Sequence, residues 1–404
     1  MSLSILFDLD DTLLINRMDV FLPAYIQALN DKFHLPQPEL LPTALSAATQ
    51  AMLRNSSPYR TLEETFNGTF YPMINSLPED HSEQVNDFYL NEYPKLRPIT
   101  RQIPGVHQLL ANCAAQGHTV AIATNPLFPK IATMQRIHWA GLVPDEIPIA
   151  LVSTFEDFHF SKPHIEYYLE MLYRLNSPDR AVMIGNDFQD DIVPPNKIGM
   201  PTYYIDDKPG ELPPGFHPLS TSGTLGGISQ WLETVDQSMD NLSFAKPELL
   251  ILSLRVTPAL LDTMANKLSP AVWQTRPRDG EWSLLEIVCH LRDVDRELNL
   301  ARIQRVLEHP GSFITSEKID SLAASRNYIK EDIDIALNEF FDAREILLSS
   351  LSELTPDQWN SPALHSIYGP TNLVEIVDLM RAHDQTHTRQ FLSTMNQVGD
   401  FSPM

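Results

Sequence analysis

The stretch ILFDLDDTLL, residues 5–14, carries the pattern that decides the fold of the first half of the chain. An apolar run ends at Asp8 and Asp10 follows two positions later, so both carboxylates project from the same side at the carboxyl end of a strand. Open α/β sheets place their active sites at that edge. There one carboxylate can attack phosphorus while its neighbour carries the proton, and a divalent cation can hold the pair. Taken alone, the pattern is more typical of a solvated acidic turn.

Later strand-like runs extend this pattern into a sheet. They are TVAIATN (119–125), IPIALVS (147–153), AVMIGND (181–187) and PTYYID (201–206), with helix-like segments between them. Strands separated by helices predict parallel βαβ units and hence an α/β doubly wound parallel sheet. Residues 16–99 have a helical pattern instead. We therefore expect a first domain at 1–235, with its core at 1–15 and 100–235 and an inserted helical cap at 16–99.

The pattern changes near residue 235. A proline- and glycine-rich tract precedes a predicted helix, and residues 236–247 have the composition of a linker. From residue 248 to residue 404 the pattern is nearly all helical, with long segments at 248–268, 283–308, 329–352 and 371–397. Long helices with connections of varied length predict a separate all-α four-helix bundle domain.

Polar residues after the later strands add companions to Asp8 and Asp10. Thr124 ends the second strand and Asn125 follows it, Lys162 lies in the segment FSKP, and an acidic cluster follows the strand AVMIG. A hydroxyl and backbone donors after Thr124 would hold phosphate oxygens, and the Lys162 ammonium would offset their charge. The acidic cluster would complete a Mg²⁺ site. Singly, Thr124 is more typical of a strand-end turn and Lys162 of a surface, but their order favours one site.

This order of motifs resembles that of the haloacid dehalogenase (HAD) superfamily, most of whose members are phosphatases. The resemblance implies that Asp8 is the nucleophile, forming an aspartyl-phosphate, and that Asp10 is the general acid and base. Thr124, Asn125 and Lys162 would bind the phosphoryl group. The cap would close over the site, exclude water and select the substrate. Small phosphorylated metabolites such as phosphoglycolate are the substrates expected by analogy.

The resemblance also implies a Mg²⁺ site. Asp8, the main-chain carbonyl of Asp10 and an acid from the late cluster would hold the ion. The family usually has an aspartate directly after the glycine of GNDFQDDI, residues 185–192, and here that position is Asn186. We therefore predict Asp187 with Asp191 as ligands, and Asn186 as the alternative direct ligand.

Two other reactions of the superfamily are less favoured by the residues. Dehalogenases typically lack the second aspartate of the first motif, whereas Asp10 is present. A phosphonatase needs a cap lysine that forms a Schiff base, and the cap lysines Lys32 and Lys95 are more typical of solvated side chains. The predicted reaction is therefore phosphomonoester hydrolysis.

Histidines interrupt the apolar faces of two helices in the second domain. In the last helix His383 and His387 continue an apolar stripe with steps of three or four residues, and His290 lies in the stripe of the helix that starts at Ser283. The three rings are therefore predicted to face one bundle interior. Each buried ring nitrogen needs a partner, and a metal ion supplies it; a hydrogen-bond network is the alternative.

The segments GEWSLLEIVCHLRDVDREL, residues 280–298, and HDQTHTRQF, residues 383–391, resemble the DinB-like (DinB/YfiT-like) superfamily of metal-binding four-helix proteins. The resemblance implies His290, His383 and His387 as ligands of Zn²⁺ or Ni²⁺. Cys289 points about 100° away from His290 on an ideal helix and is expected to pack. The domain is either a metal-dependent hydrolase or thiol transferase with an open site, or a structural metal-binding or dimerisation module with a closed one.

The composition of the chain limits the kinds of binding partner and the cellular compartment that we expect. A formal net charge of −23 argues against a protein that binds duplex nucleic acid through a basic face. No apolar run reaches the roughly 18 residues of a membrane span, and the N-terminus has no basic leader. Two distant cysteines, Cys113 and Cys289, argue against a disulfide framework. We therefore expect a cytoplasmic protein with a small phosphorylated metabolite as ligand, and the bundle as a candidate homodimer interface.

Overall fold

The computed structural model describes residues 2–33, 35, 37–143, 146–176, 179–206, 208, 210–265, 267–315 and 326–399. The chain forms two compact units, Met1–Leu242 and Ser243–Met404. Residue 266 of the predicted helix 248–268 lies outside the described residues, as do 316–325 and 400–404 of the predicted bundle. No helix of the described part is long and apolar enough to cross a membrane.

The first unit is built on a six-stranded sheet. The strands of both units, as far as the structure describes them, are β1 (Ser4–Phe7), β2 (Leu14–Ile15), β3 (Arg101–Gln102), β4 (Thr119–Ile122), β5 (Ile149–Val152), β6 (Ala181–Gly185), β7 (Thr202–Ile205), β8 (Thr221–Gly223), β9 (Phe313–Ile314), β10 (Pro362–His365) and β11 (Gly369–Asn372). The large sheet has the order β5-β4-β1-β6-β7-β8, and every neighbouring pair is parallel. The predicted doubly wound parallel sheet is confirmed.

The central position of β1 explains where the site lies. Phe7 pairs with Ile122 of β4 on one side and with Ile184 of β6 on the other. The chain crosses from β1 to the two sides in turn, which opens a crevice at the carboxyl ends of these three strands. All residues of β1 are buried, as expected of a parallel strand covered on both faces. The short edge strand β8 was not predicted, because it lies in the proline- and glycine-rich tract.

The insert after β1 is helical, as predicted. Its helices are Met18–Lys32, Leu40–Leu53, Leu62–Met73 and Ser82–Asp87, followed by a π-helical turn at Phe88–Glu92, with 3-10 segments at Pro78–His81 and Tyr93–Ile99. Strands β2 and β3 pair antiparallel where the chain leaves for the insert and returns from it. This two-stranded ribbon pairs the segment that enters the insert with the segment that returns from it, so the insert is attached to the core at both ends.

The remaining helices of the first unit flank the sheet. They are Val106–Ala115, Lys130–Trp139, Ile165–Arg174, Val193–Lys197 and Ile228–Ser238, with a π-helical turn at Phe188–Ile192 and a 3-10 turn at Leu225–Gly227. The last of these helices extends into the segment 236–247 that was predicted as a linker.

The second unit is mainly helical. Among its described residues the helices are Pro247–Ala265, Pro270–Gln274, Leu284–Val294, Leu300–Glu308, Ile333–Ser352, Pro356–Trp359 and Leu373–Val398. A π-helical turn, Asp295–Asn299, joins the third and fourth of these into the predicted long segment, and a 3-10 turn lies at Tyr328–Lys330. The predicted four-helix architecture is confirmed. The structure adds a small sheet of order β11-β10-β9, which the helical pattern did not indicate.

Candidate active site and metal centre

Asp8 lies at the centre of the first site, directly after β1. The residue is 8% exposed, and its Oδ1 is 2.8 Å from Lys162 Nζ. The same ammonium lies 2.6 Å from Asp191 Oδ1. Burial raises the pKa of Asp8, although Lys162 opposes the shift, and burial raises the pKa of Asp191 to about 7. Lys162 therefore bridges two buried carboxylates, Asp8 directly after β1 and Asp191 in the turn that follows β6.

Asp10 has its own cation, which the sequence analysis missed. One carboxylate oxygen accepts a hydrogen bond from Arg136, and the other accepts one from Asn16 Nδ2 at 2.8 Å. Arg136 is 1% exposed on the helix Lys130–Trp139. Although burial works against its charge, pairing with Asp10 raises the pKa of Arg136. The signal was an arginine on the buried stripe that also contains Ala132 and Thr133.

Thr124 and Asn125 reach the same edge from β4. Thr124 is 2% exposed, and its carbonyl accepts hydrogen bonds from Ser153 Oγ at 2.6 Å and Tyr167 Oη at 2.8 Å. Asn125 Nδ2 is 3.5 Å from the Lys162 carbonyl. Asn125 Oδ1 is buried and has no hydrogen-bond partner among the described residues. The loop after β4 is therefore fixed beside the segment that carries Lys162.

The residues after β6 separate into different environments. Asn186 Oδ1 accepts a hydrogen bond from Thr12 Oγ1 at 2.9 Å. Asp187 is exposed, and its Oδ1 accepts two backbone N–H groups of the next turn, at 2.8 and 2.9 Å. Asp191 is 1% exposed and contacts Lys162. Of the two predicted acidic ligands, the structure brings Asp191 together with Asp8, while Asp187 caps the following turn.

The second site is a cluster of three histidines. The ligand nitrogens of His290, His383 and His387 all lie within 4.8 Å of one another. His290 is 1% exposed, whereas His383 and His387 are half-buried. Burial, together with the neighbouring histidines, lowers the pKa of His290 to about 3. His290 is therefore neutral at ordinary pH, which is the form that binds a metal.

The hydrogen bonds of the rings favour a metal over a closed network. His290 Nε2 and His383 Nε2 are 3.0 Å apart, and the Nδ1 atoms of both rings have no hydrogen-bond partner among the described residues. His387 Nδ1 lies 2.9 Å from Gln390 Oε1, so this nitrogen donates and Nε2 keeps its lone pair. Trp282 packs on two of the rings, with centroids 4.8 Å from His290 and 5.7 Å from His387. The donor set fits a transition metal bound by three imidazoles.

Comparison with known protein families assigns both halves. Residues 5–205 match the model of the haloacid dehalogenase-like hydrolase family, and residues 253–391 match that of the DinB superfamily. The chain joins a haloacid dehalogenase-like hydrolase domain to a DinB superfamily domain. No curated protein matches the chain.

Solved structures resemble each domain separately. HAD phosphatase from Thermococcus onnurineus is 21% identical, covers 57% of this chain and 98% of its own, and gives a TM-score of 0.38. A 2-haloacid dehalogenase from Pseudomonas syringae pv. tomato is 20% identical over 58% and 99% of the two chains, with a TM-score of 0.42. YfiT from Bacillus subtilis, described as a probable metal-dependent hydrolase, is 18% identical over 39% and 91%, with a TM-score of 0.35.

The acidic site of the hydrolase domain has a donor set suited to Mg²⁺. Three carboxylates, Asp8, Asp10 and Asp191, are paired with two cations, Lys162 and Arg136. The buried site therefore has one more negative than positive side chain. Mg²⁺ prefers carboxylate and carbonyl oxygens as ligands. Asp8 and the main-chain carbonyl of Asp10 would hold the ion together with Asp191, Asp187 or Asn186.

Gly185 explains how Asp191 can approach Asp8 in the hydrolase domain. A Cβ at this position would lie 2.2 Å from Asp191 Oδ2. Only glycine leaves this space, so the glycine before Asn186 is required for the buried position of the Asp191 carboxylate.

The DinB domain also contains a buried charge network beside its histidines. Arg344 is fully buried, with Nε 2.6 Å from Asp295 Oδ2 and Nη1 2.5 Å from Asp384 Oδ2. Asp384 is 2% exposed, whereas His383 and His387 on the same helix are half-buried. Asp384 is therefore the innermost of these three residues, and the two histidines lie at the edge of the buried face of the helix. The apolar members of the predicted stripe are buried, namely Leu373, Ile376, Met380, Phe391 and Met395. Beside the histidines, Arg344 neutralises the buried aspartates. Cys289 packs in an apolar cluster, as expected.

Proposed function

We propose that the hydrolase domain is a Mg²⁺-dependent phosphatase that acts on phosphomonoesters of small molecules through an aspartyl-phosphate. The observation that carries this proposal is the pair Asp8 and Asp10 at the end of β1, with Lys162 held 2.8 Å from Asp8. A buried, charge-compensated carboxylate can act as a nucleophile, and a second carboxyl group two residues later can transfer the proton.

The proposed reaction has two steps. First, an Asp8 oxygen bonds to phosphorus, the bond between phosphorus and the leaving oxygen breaks, and Asp10 gives that oxygen a proton. Then Asp10 takes a proton from water, the water oxygen bonds to phosphorus, and the bond from phosphorus to Asp8 breaks. Arg136 and Asn16 each donate a hydrogen bond to one oxygen of Asp10, which fixes the orientation of its carboxyl group beside Asp8.

Other groups stabilise the negative charge that develops on the phosphoryl group during the reaction. The Lys162 ammonium forms an ion pair with Asp8, the proposed nucleophile. Thr124 and Asn125 lie on the loop after β4, which contacts the Lys162 main chain. Mg²⁺, when bound, offsets the charge of the carboxylates and of the phosphoryl oxygens. Because these charged groups are already in position in the buried site, they do not have to reorganise during the reaction.

The contacts of the cap lysines support phosphate-ester rather than phosphonate chemistry. Lys32 forms an ion pair with Asp87, and this contact raises the Lys32 pKa. Lys95 Nζ lies 2.6 Å from Glu92 Oε2. A Schiff-base lysine must lose its proton, which ion pairing opposes. The presence of Asp10, paired with Arg136, favours a phosphatase over a dehalogenase.

A screen of the purified full chain tests this proposal. With Mg²⁺ we expect phosphate release from phosphomonoesters and loss of that release with a chelator, because the site needs a cation to balance its carboxylates. Under the same conditions, 2-haloacids should release no halide. Halide release without phosphate release would reject the phosphatase assignment.

A second candidate function belongs to the DinB domain. A cavity of about 360 Å³ is lined by His383 together with polar side chains that include Asn299, Arg302 and His365. A structural metal site would instead be sealed by a fourth protein ligand. The cavity favours the open alternative, in which the histidine-bound metal acts on a small molecule as in a metal-dependent hydrolase or thiol transferase.

A further inference from the structure

The cap and the core of the hydrolase domain enclose a cavity of about 380 Å³. Its walls are mainly aromatic and aliphatic. They include Phe33, Phe66, Phe70 and Tyr71 from the cap, and Leu127 and Phe155 from the loops after β4 and β5. Cavities of this size and lining are typical of small-molecule sites.

The cavity adjoins the catalytic groups through two contacts. The Leu127 N–H donates to the Asn125 carbonyl at 2.8 Å, so the cavity wall and the proposed phosphate-binding loop are one segment. The Tyr25 ring, which also lines the cavity, lies 5.3 Å from the Phe128 ring. Arg136, the partner of Asp10, lies 4.7 Å from the centre of that Phe128 ring. Tyr25 and Phe128 therefore connect one wall of the cavity to the ion pair of Asp10.

The charged groups of the cavity are acidic. Glu63 and Glu156 line it, and no lysine, arginine or histidine does so among the described residues. Both Glu156 oxygens accept the Lys130 N–H, at 2.9 and 3.0 Å. Burial, and also the charge of Glu63, raises the pKa of Glu156 to about 7, so the two carboxyl groups act on each other. A further carboxylate placed here would lose its hydration without gaining a cation.

We propose that this cavity receives the leaving group of the phosphomonoester, and that this group is apolar and carries no carboxylate or second phosphate. The proposal rests on the phosphatase function proposed above and specifies its substrate class. Aromatic walls bury an apolar leaving group, while Glu63 and Glu156 repel an anionic one. Acidic esters such as phosphoglycolate are therefore poor substrates.

Phenyl phosphate and 4-carboxyphenyl phosphate test the proposal, because they differ only by a carboxylate. For the wild-type full chain with Mg²⁺, we expect kcat/KM for the phenyl ester to be higher by about 100-fold, since like charges brought together in a buried site are strongly unfavourable. The double variant Glu63→Gln with Glu156→Gln should reduce this ratio to about tenfold or less. Glu83→Gln, on an exposed face of the cap, removes the same charge outside the cavity and should leave the ratio unchanged.

Binding of the matched phosphonates, phenylphosphonate and 4-carboxyphenylphosphonate, separates this proposal from the phosphatase assignment. Calorimetry with the Asp8→Asn protein should show the same preference for the uncharged ring without turnover. Equal or tighter binding of the carboxylated ligand, or a ratio unaffected by the double variant, would overturn the cavity assignment. Preference for the uncharged ring in binding, with no hydrolysis of either ester by the wild type, would support the cavity and reject the phosphatase function.

Discussion

Asp8→Asn is expected to lower Mg²⁺-dependent hydrolysis of p-nitrophenyl phosphate by roughly 10⁴-fold or more, as when a covalent nucleophile is removed. An amide cannot form the acyl phosphate, and it removes one of the two carboxylates that Lys162 bridges. The rate of p-nitrophenol release measures this loss, and the unfolding temperature shows whether the domain is intact.

Asp206→Asn is the matched control for this variant. Asp206 follows β7 at the same edge of the sheet, but its carboxylate accepts the Lys208 N–H at 2.9 Å. The control should keep nearly full activity. Undiminished turnover by the Asp8→Asn protein would show that Asp8 is not the nucleophile.

The double variant His383→Ala with His387→Ala is expected to lose its transition metal, whereas the wild type should carry about one metal ion per chain after purification without chelators. One imidazole, that of His290, would remain, and affinity falls steeply when ligands are removed. Elemental analysis of the purified proteins measures the ratio of metal to chain, and addition of Zn²⁺ or Ni²⁺ should raise the unfolding temperature of the wild type alone.

His309→Ala serves as the control, because His309 is exposed in the same domain. It should retain the metal. A wild-type protein that holds no metal, even after addition of Zn²⁺ or Ni²⁺, would contradict the metal centre and restore the hydrogen-bond network between His290 and His383.

The sheet of the hydrolase domain was predictable because its strands are short apolar runs that end in polar residues. Parallel strands buried on both faces need such runs, and their carboxyl ends meet at one edge, which brings Asp8, Thr124 and the residues after β6 together. The edge strand β8 and the strands β9 to β11 were missed, since none has an alternating or continuous apolar run. Their pairing is decided by tertiary contacts.

The charged partners of the site residues were less predictable. Arg136, Arg344 and Asp384 are polar residues in positions where periodicity predicts apolar ones, and periodicity does not show which charges pair after folding. The different environments of Asp187 and Asp191 likewise depend on the turn after β6 and on the space left by Gly185. Such details follow from packing between segments that are distant in sequence.

The position of the phosphoryl group during turnover tests the phosphatase mechanism most directly. The wild-type protein is mixed with p-nitrophenyl phosphate and Mg²⁺, quenched with acid within the first turnovers, digested and examined by mass spectrometry. The account predicts a phosphoryl group on the peptide that contains Asp8, and its absence from the Asp8→Asn protein. A phosphoryl group on another residue, or phosphate release in which Asp8 is never phosphorylated, would contradict it.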